Sequence, residues 1–67
     1  MLDDLLTQIR TLSSGTLATL TGRKTYEALD KTRELWLVWA MHQPSRKMDW
    51  QESWRAYSAA TYVPYNA

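Results

Sequence analysis

The sequence contains no cysteine, and only one histidine, two glycines and two prolines among 67 residues. Without cysteine there are no disulfides and no thiolate ligands, and one histidine is too few for a structural zinc site. Two glycines are also too few for a glycine-rich phosphate-binding loop. A single domain of this size buries only about 60% of the surface that its unfolded chain exposes, so its stability is small. Small domains usually add disulfides, a metal or a partner subunit, so contacts with a partner are the support that remains.

A strong excess of charge is also missing, since eight lysines and arginines oppose seven aspartates and glutamates. The formal net charge of +1 is not the basic balance expected of a dedicated nucleic-acid-binding protein. The first residues are acidic where a secretory signal is basic. The longest apolar run, residues 35–41, is far shorter than the roughly 20 residues that cross a bilayer. We therefore expect neither a signal peptide nor a membrane span.

The leucines and the isoleucine between Leu2 and Leu12 follow the spacing of one helical face. Two aspartates in the first turn and Arg10 near the last turn suit the helix dipole. This pattern predicts a first helix that ends at residues 13–15, Ser-Ser-Gly, with Gly15 as a left-handed C-cap.

Residues 16–28 permit two structures. Their β-branched residues, followed by Gly22-Arg23 as a two-residue turn, are typical of a short hairpin. The same stretch also fits a short helix that is capped by Ser14 and ends at Gly22. We prefer the helix, so the predicted fold class is all-α, a small domain of three to four helices with an extended C-terminal tail. The alternative is an α+β fold with a hairpin at about 16–28.

The longest predicted helix is Lys24–His42, or a shorter one capped by Asp30 if the hairpin forms. Its residues 35–41 are apolar on every side, and such a helix has to be covered on every side. This helix is therefore expected to be central. Its main apolar stripe comprises Ala28, Leu29, Thr32, Leu35, Trp36 and Trp39.

Pro44 predicts a loop over residues 43–47, because proline ends a helix. Asp49 and Glu52 then form a variant capping box that opens a last helix. Pro64 prevents continuation of that helix, so we expect a single helical domain over residues 1–61 and an aromatic tail over 62–67.

No catalytic set can be assembled from this sequence. His42 has no cysteine partner and suits the C-terminal end of a helix, where the dipole favours a polar or cationic group. The acidic pairs Asp3/Asp4 and Asp49/Glu52 are explained by their places at helix N-termini. The sequence predicts a non-enzyme with no cofactor and no metal.

A DNA-binding alternative depends on Leu17-Ala18 and Gly22, which match the kernel of a helix-turn-helix motif. A recognition helix would then begin with Arg23, Lys24 and Thr25. The flanking positions fit poorly, because Thr21 and Arg23 stand where apolar residues are usual.

Two tryptophan pairs dominate the second half of the chain, Trp36/Trp39 at i, i+3 and Trp50/Trp54 at i, i+4. They fit the core of an antiparallel helical hairpin around Pro44, but the remaining apolar side chains still need cover. We therefore predict a structural or adaptor protein that packs against protein partners in a homo- or hetero-oligomer. The candidate interface residues are Trp36, Trp39, Trp50, Trp54, Tyr57, Tyr62 and Tyr65.

The alternative layout of helix, Gly-Arg hairpin, helix and aromatic tail is similar in outline, around Thr16–Leu29, to the small head–tail joining proteins of lambda-like phages. This resemblance implies a phage virion or assembly component, located in the cytoplasm or within a virus particle. A phage-encoded inhibitor of a host protein complex is a further alternative with the same kind of contact surface.

Overall fold

The computed structural model describes residues 2–44 and 47–61. They form four α-helices: α1 (Leu2–Arg10), α2 (Ser14–Thr21), α3 (Tyr26–Met41) and α4 (Trp50–Thr61). These described ranges contain no β-strand, and the predicted all-α class is confirmed. Because α2 occupies the stretch for which a hairpin was the alternative, the layout shared with head–tail joining proteins is absent from residues 16–28.

The junction of α1 and α2 differs from the prediction at two positions. Ser13 is the N-cap of α2, and its Oγ accepts a 3.1 Å hydrogen bond from the backbone N–H of Thr16. The predicted cap, Ser14, is already the first residue of the helix. Gly15 lies in the first turn of α2 and not in a left-handed cap of α1. The Ser13 hydroxyl satisfies a free N–H of α2, and this local bond places the boundary before the glycine.

The turn between α2 and α3 is defined by a left-handed residue and a cap. Gly22 has φ 71° and ψ 4°, and its N–H donates a 2.8 Å hydrogen bond to the carbonyl oxygen of Ala18. Thr25 Oγ1 accepts from the N–H of Ala28 at 3.2 Å and caps α3. The helix therefore begins at Tyr26, two residues after the predicted start, and Asp30 lies inside it.

The start of α4 agrees with the prediction. Asp49 Oδ1 accepts a 2.8 Å hydrogen bond from the backbone N–H of Glu52, as expected of the capping box. The predicted loop over 43–47 is described only at residues 43, 44 and 47, and the predicted tail over 62–67 lies outside the described residues.

Helix α3 is the centre of the fold, because it packs against α1, α2 and α4, while α1 also touches α4. Arg33 adds a polar link, since its Nη2 donates to the carbonyl oxygen of Leu12 beyond the end of α1. The face of α3 that meets the other helices therefore lies in the core. The buried apolar residues are Leu5, Ile9, Leu17, Leu29, Trp36 and Ala40.

Candidate protein-interaction surface

The aromatic side chains of α3 and α4 meet in pairs. The ring centroids of Trp36 and Trp54 are 5.0 Å apart with planes at 62°, and those of Trp39 and Tyr57 are 5.6 Å apart at 66°. Trp54 and Tyr57 are also neighbours at 5.8 Å. Edge-to-face contacts of this kind add about 0.5–1.5 kcal/mol per pair beyond the area that they bury. The rings thus hold α3 against α4, as the hairpin-core interpretation of the sequence predicts for Trp36 and Trp54, whereas Trp39 pairs with Tyr57.

The candidate interface residues lie at different depths. Trp36 is 0% exposed, so its ring belongs to the core and offers no surface to a partner. Four others are partly buried and packed against the core cluster. These four are Trp39, Trp50, Trp54 and Tyr57. Tyr62 and Tyr65 lie outside the described residues.

Aliphatic side chains form an exposed apolar surface on the C-terminal half of α3. Leu35 is 45% exposed, Val38 48% and Met41 60%. Their i, i+3, i+6 spacing places them on the side of the helix opposite the buried Trp36 and Ala40. We call these three residues the α3 patch. Sequence reasoning recognised that residues 35–41 are apolar on all sides, but it selected the rings as interface residues and missed the aliphatic side chains.

Charged side chains continue the exposed side of α3 toward its N-terminus. Glu27, Asp30 and Glu34 are exposed there, together with a single exposed cation, Lys31. Arg33 is turned inward, and its Nη1 lies 4.0 Å from Asp30 Oδ1. The outer side of α3 therefore consists of an acidic half followed by an apolar half.

A cleft of about 270 Å³ lies where the end of α2, the middle of α3 and α4 face one another. We call it the α2–α4 cleft. Among the described residues that line it, Arg23 alone carries a charge, and its Nη1 donates a 2.6 Å hydrogen bond to Thr32 Oγ1. Thr32 Oγ1 in turn donates to the carbonyl oxygen of Ala28 at 2.9 Å. Leu35 belongs to both the cleft and the α3 patch, so the two surfaces are continuous. The other lining residues are Leu20, Thr21, Trp54, Tyr57, Ser58 and Thr61.

The three residues of the DNA-binding alternative lie in the turn before α3, and each has a different environment. Arg23 is bonded to Thr32 and Thr25 caps the helix, while the exposed Lys24 makes neither contact. The exposed side of α3 that follows them carries three carboxylates and one lysine. Carboxylates repel the phosphate backbone that dominates affinity for nucleic acids. Helix α3, the recognition helix of this alternative, therefore carries on its exposed side a charge that does not favour DNA.

His42 lies at the C-terminal end of α3, where its Nδ1 is 2.8 Å from the carbonyl oxygen of Val38. In the described part of the chain, no three His, Asp or Glu side chains are grouped so that they could hold a metal ion. None of the four helices described here has the length and apolar character needed to span a membrane.

The fold and its surface define a small all-α domain whose central helix exposes an apolar patch beside a cleft. Comparison with protein-family models, with curated proteins and with solved structures found no match for this chain.

Proposed function

We propose that this protein is a small non-catalytic structural or adaptor protein that packs its α3 patch against protein surfaces in a homo- or hetero-oligomer. The observation that supports the proposal is the exposure of Leu35, Val38 and Met41 on the helix that forms the centre of the fold. A chain of this size needs most of its large apolar side chains for its own core. Three large aliphatic residues in a row on the outside are therefore better explained by a partner than by solvent contact.

The size of the patch limits what it achieves alone. Each of its side chains is about half exposed, so covering all three contributes on the order of 3 kcal/mol. A micromolar complex needs about 8 kcal/mol, and a stable interface buries about 800 Å² on each partner. The contact surface must therefore extend beyond the patch. Leu35 connects it to the α2–α4 cleft, where the partly buried rings of Trp54 and Tyr57 supply further apolar area.

Light scattering after size-exclusion chromatography tests self-association, and affinity purification from the native source tests a foreign partner. Val38→Glu places a charge at the centre of the patch, whereas Thr19→Glu adds the same charge at an exposed position of α2. We expect the oligomer or the retained partner to be lost with Val38→Glu and kept with Thr19→Glu. A wild-type chain that is monomeric at high concentration and retains the same proteins as Val38→Glu would contradict the proposal.

The same experiments separate the alternatives. A single retained host complex whose activity the chain reduces would identify an inhibitor that uses this surface. A steeply salt-dependent gel shift with duplex DNA, lost when Arg23 and Lys24 are both changed to alanine, would instead indicate a nucleic-acid-binding function.

A further inference from the structure

The exposed residues at the C-terminal half of α3 are arranged symmetrically about Val38. Leu35 and Met41 lie three residues before and after it, and both are exposed. Glu34 and His42 lie four residues before and after it, and they are exposed as well. A two-fold axis at the level of Val38, which pairs α3 with an antiparallel copy of itself, exchanges the members of each pair. It therefore places an aliphatic side chain opposite an aliphatic one, and a carboxylate opposite an imidazole ring.

The sizes of the side chains suit this arrangement. Valine, the smallest residue of the α3 patch, meets itself at the axis, where two packed helices lie about 8–10 Å apart. Leu35 lies opposite Met41 of the second copy, an unbranched side chain that adapts to irregular gaps. Because the interface uses each contact twice, both patches are covered at once. Leu35 also lines the α2–α4 cleft, so the end of the second α3 lies beside that cleft and extends the contact beyond the patch.

The charges of α3 favour the antiparallel orientation over the parallel one. The acidic half of its outer side carries Glu27, Asp30 and Glu34. In a parallel pair these carboxylates would lie beside their own copies, and like charges repel. In the antiparallel pair the two acidic halves point away from each other, and Glu34 comes level with His42 of the second copy. The Nδ1 of His42 lies 2.8 Å from the carbonyl oxygen of Val38, so Nε2 is the ring nitrogen that can meet a carboxylate.

We propose that the partner of the α3 patch is a second copy of this chain, with the two α3 helices antiparallel and a two-fold axis at Val38. This inference rests on the proposed function, because it names the partner of the same surface. The symmetric contact uses the patch of both copies completely. It therefore closes at two chains, and no third chain adds to the patch.

Disulfide cross-linking tests this arrangement, because the chain has no cysteine of its own. A disulfide forms only between Cα atoms less than about 7 Å apart. We expect mild oxidation to cross-link Val38→Cys to itself. Leu35→Cys should not cross-link to itself, since the two copies of residue 35 are about 9 Å apart along the helix axis. It should cross-link to Met41→Cys when the two variants are mixed. Thr19→Cys, at an exposed position of α2, is the control and should remain a monomer under the same conditions.

The possible failures of this experiment are distinguishable. Cross-linking of each patch variant to itself would indicate a parallel pair and overturn the proposed arrangement. Cross-linking no greater than that of Thr19→Cys would overturn the second copy as the partner. In that case, a foreign protein that the wild-type chain retains and Val38→Glu loses would leave the proposed function standing. The same retained proteins with both chains would contradict the proposed function as well.

An exchange of charge tests the contact between Glu34 and His42. Within one chain about 12 Å of helix separates these residues, so they act on each other only across the dimer. His42→Glu places two carboxylates opposite each other at two symmetric sites and should raise the dissociation constant of the dimer by roughly tenfold. Adding Glu34→Lys to this variant should restore the wild-type constant, whereas adding Glu27→Lys, the same change two turns away, should restore little of it. Light scattering over a dilution series measures the constants. Equal restoration by the two lysines would exclude the contact and overturn the register at Val38.

Discussion

The indole Nε1 of Trp36 donates a 2.8 Å hydrogen bond to the Oγ of Ser53, and both residues are 0% exposed. The bond connects the middle of α3 to the first turns of α4 at the point where the aromatic contacts begin. A buried indole needs such a partner, because an unpaired N–H in the core loses its bond to water without replacement. Ser53 thus explains how the largest core side chain is accommodated.

Replacing Ser53 with alanine should reduce the free energy of unfolding by about 1–3 kcal/mol, because the indole N–H is left without an acceptor. Urea denaturation followed by circular dichroism measures the change. Ser58→Ala, in the same helix but at the cleft, should change the stability by less than about 0.5 kcal/mol. Equal losses for the two variants would show that the bond to Trp36 contributes nothing specific.

The two glycines should respond to alanine with opposite signs. Gly22 has φ 71°, so Gly22→Ala should destabilise the fold by about 1–2 kcal/mol, although a Cβ there meets no atom within 4 Å. Gly15 lies inside α2, and a Cβ there would meet only Ser13 Oγ at 4.0 Å. Gly15→Ala should therefore stabilise by roughly 0.5–1 kcal/mol. Thermal unfolding of both variants checks the contrast, and a stabilising Gly22→Ala would contradict the cap assignment.

The sequence predicted the features that depend on neighbouring residues. The Asp49 cap and the end of α2 at Gly22 depend on residues within four positions of the hydrogen bonds concerned. The boundary between α1 and α2 was placed wrongly, because Ser13, Ser14 and Gly15 carry competing signals, and only the bond from Thr16 to Ser13 selects among them.

The burial of apolar residues depends on which helix faces them, and this could not be read from the spacing alone. Trp36 and Val38 belong to the same apolar run, yet one is 0% and the other 48% exposed. The difference arises because α1, α2 and α4 all pack on one part of the surface of α3. For the same reason, no pattern in the sequence predicts the α2–α4 cleft, which Arg23 lines together with residues of α4.

Removing the N-cap of α4 should loosen the helix that takes part in the ring contacts Trp36–Trp54, Trp39–Tyr57 and Trp54–Tyr57. Asp49→Ala deletes the acceptor for the N–H of Glu52 and should cost about 1 kcal/mol, whereas Asp49→Ser should restore most of it. Urea denaturation measures both variants. If serine and alanine are equally destabilising at this position, the capping bond is not the source of the loss.

A substitution in the core should change the stability of the protein, whereas a substitution in the α3 patch should change its association. Ile9 is 0% exposed, and Ile9→Ala should lower the free energy of unfolding by about 2–5 kcal/mol because it leaves a cavity. Met41 is 60% exposed, so Met41→Ala should cost less than about 0.5 kcal/mol in the monomer. If the α3 patch is a contact surface, the same Met41→Ala change should weaken the oligomer or the partner complex measurably. Paired denaturation and light-scattering measurements on each variant distinguish the two roles. A Met41→Ala chain that loses stability and keeps its association would place Met41 in the core and remove it from the patch.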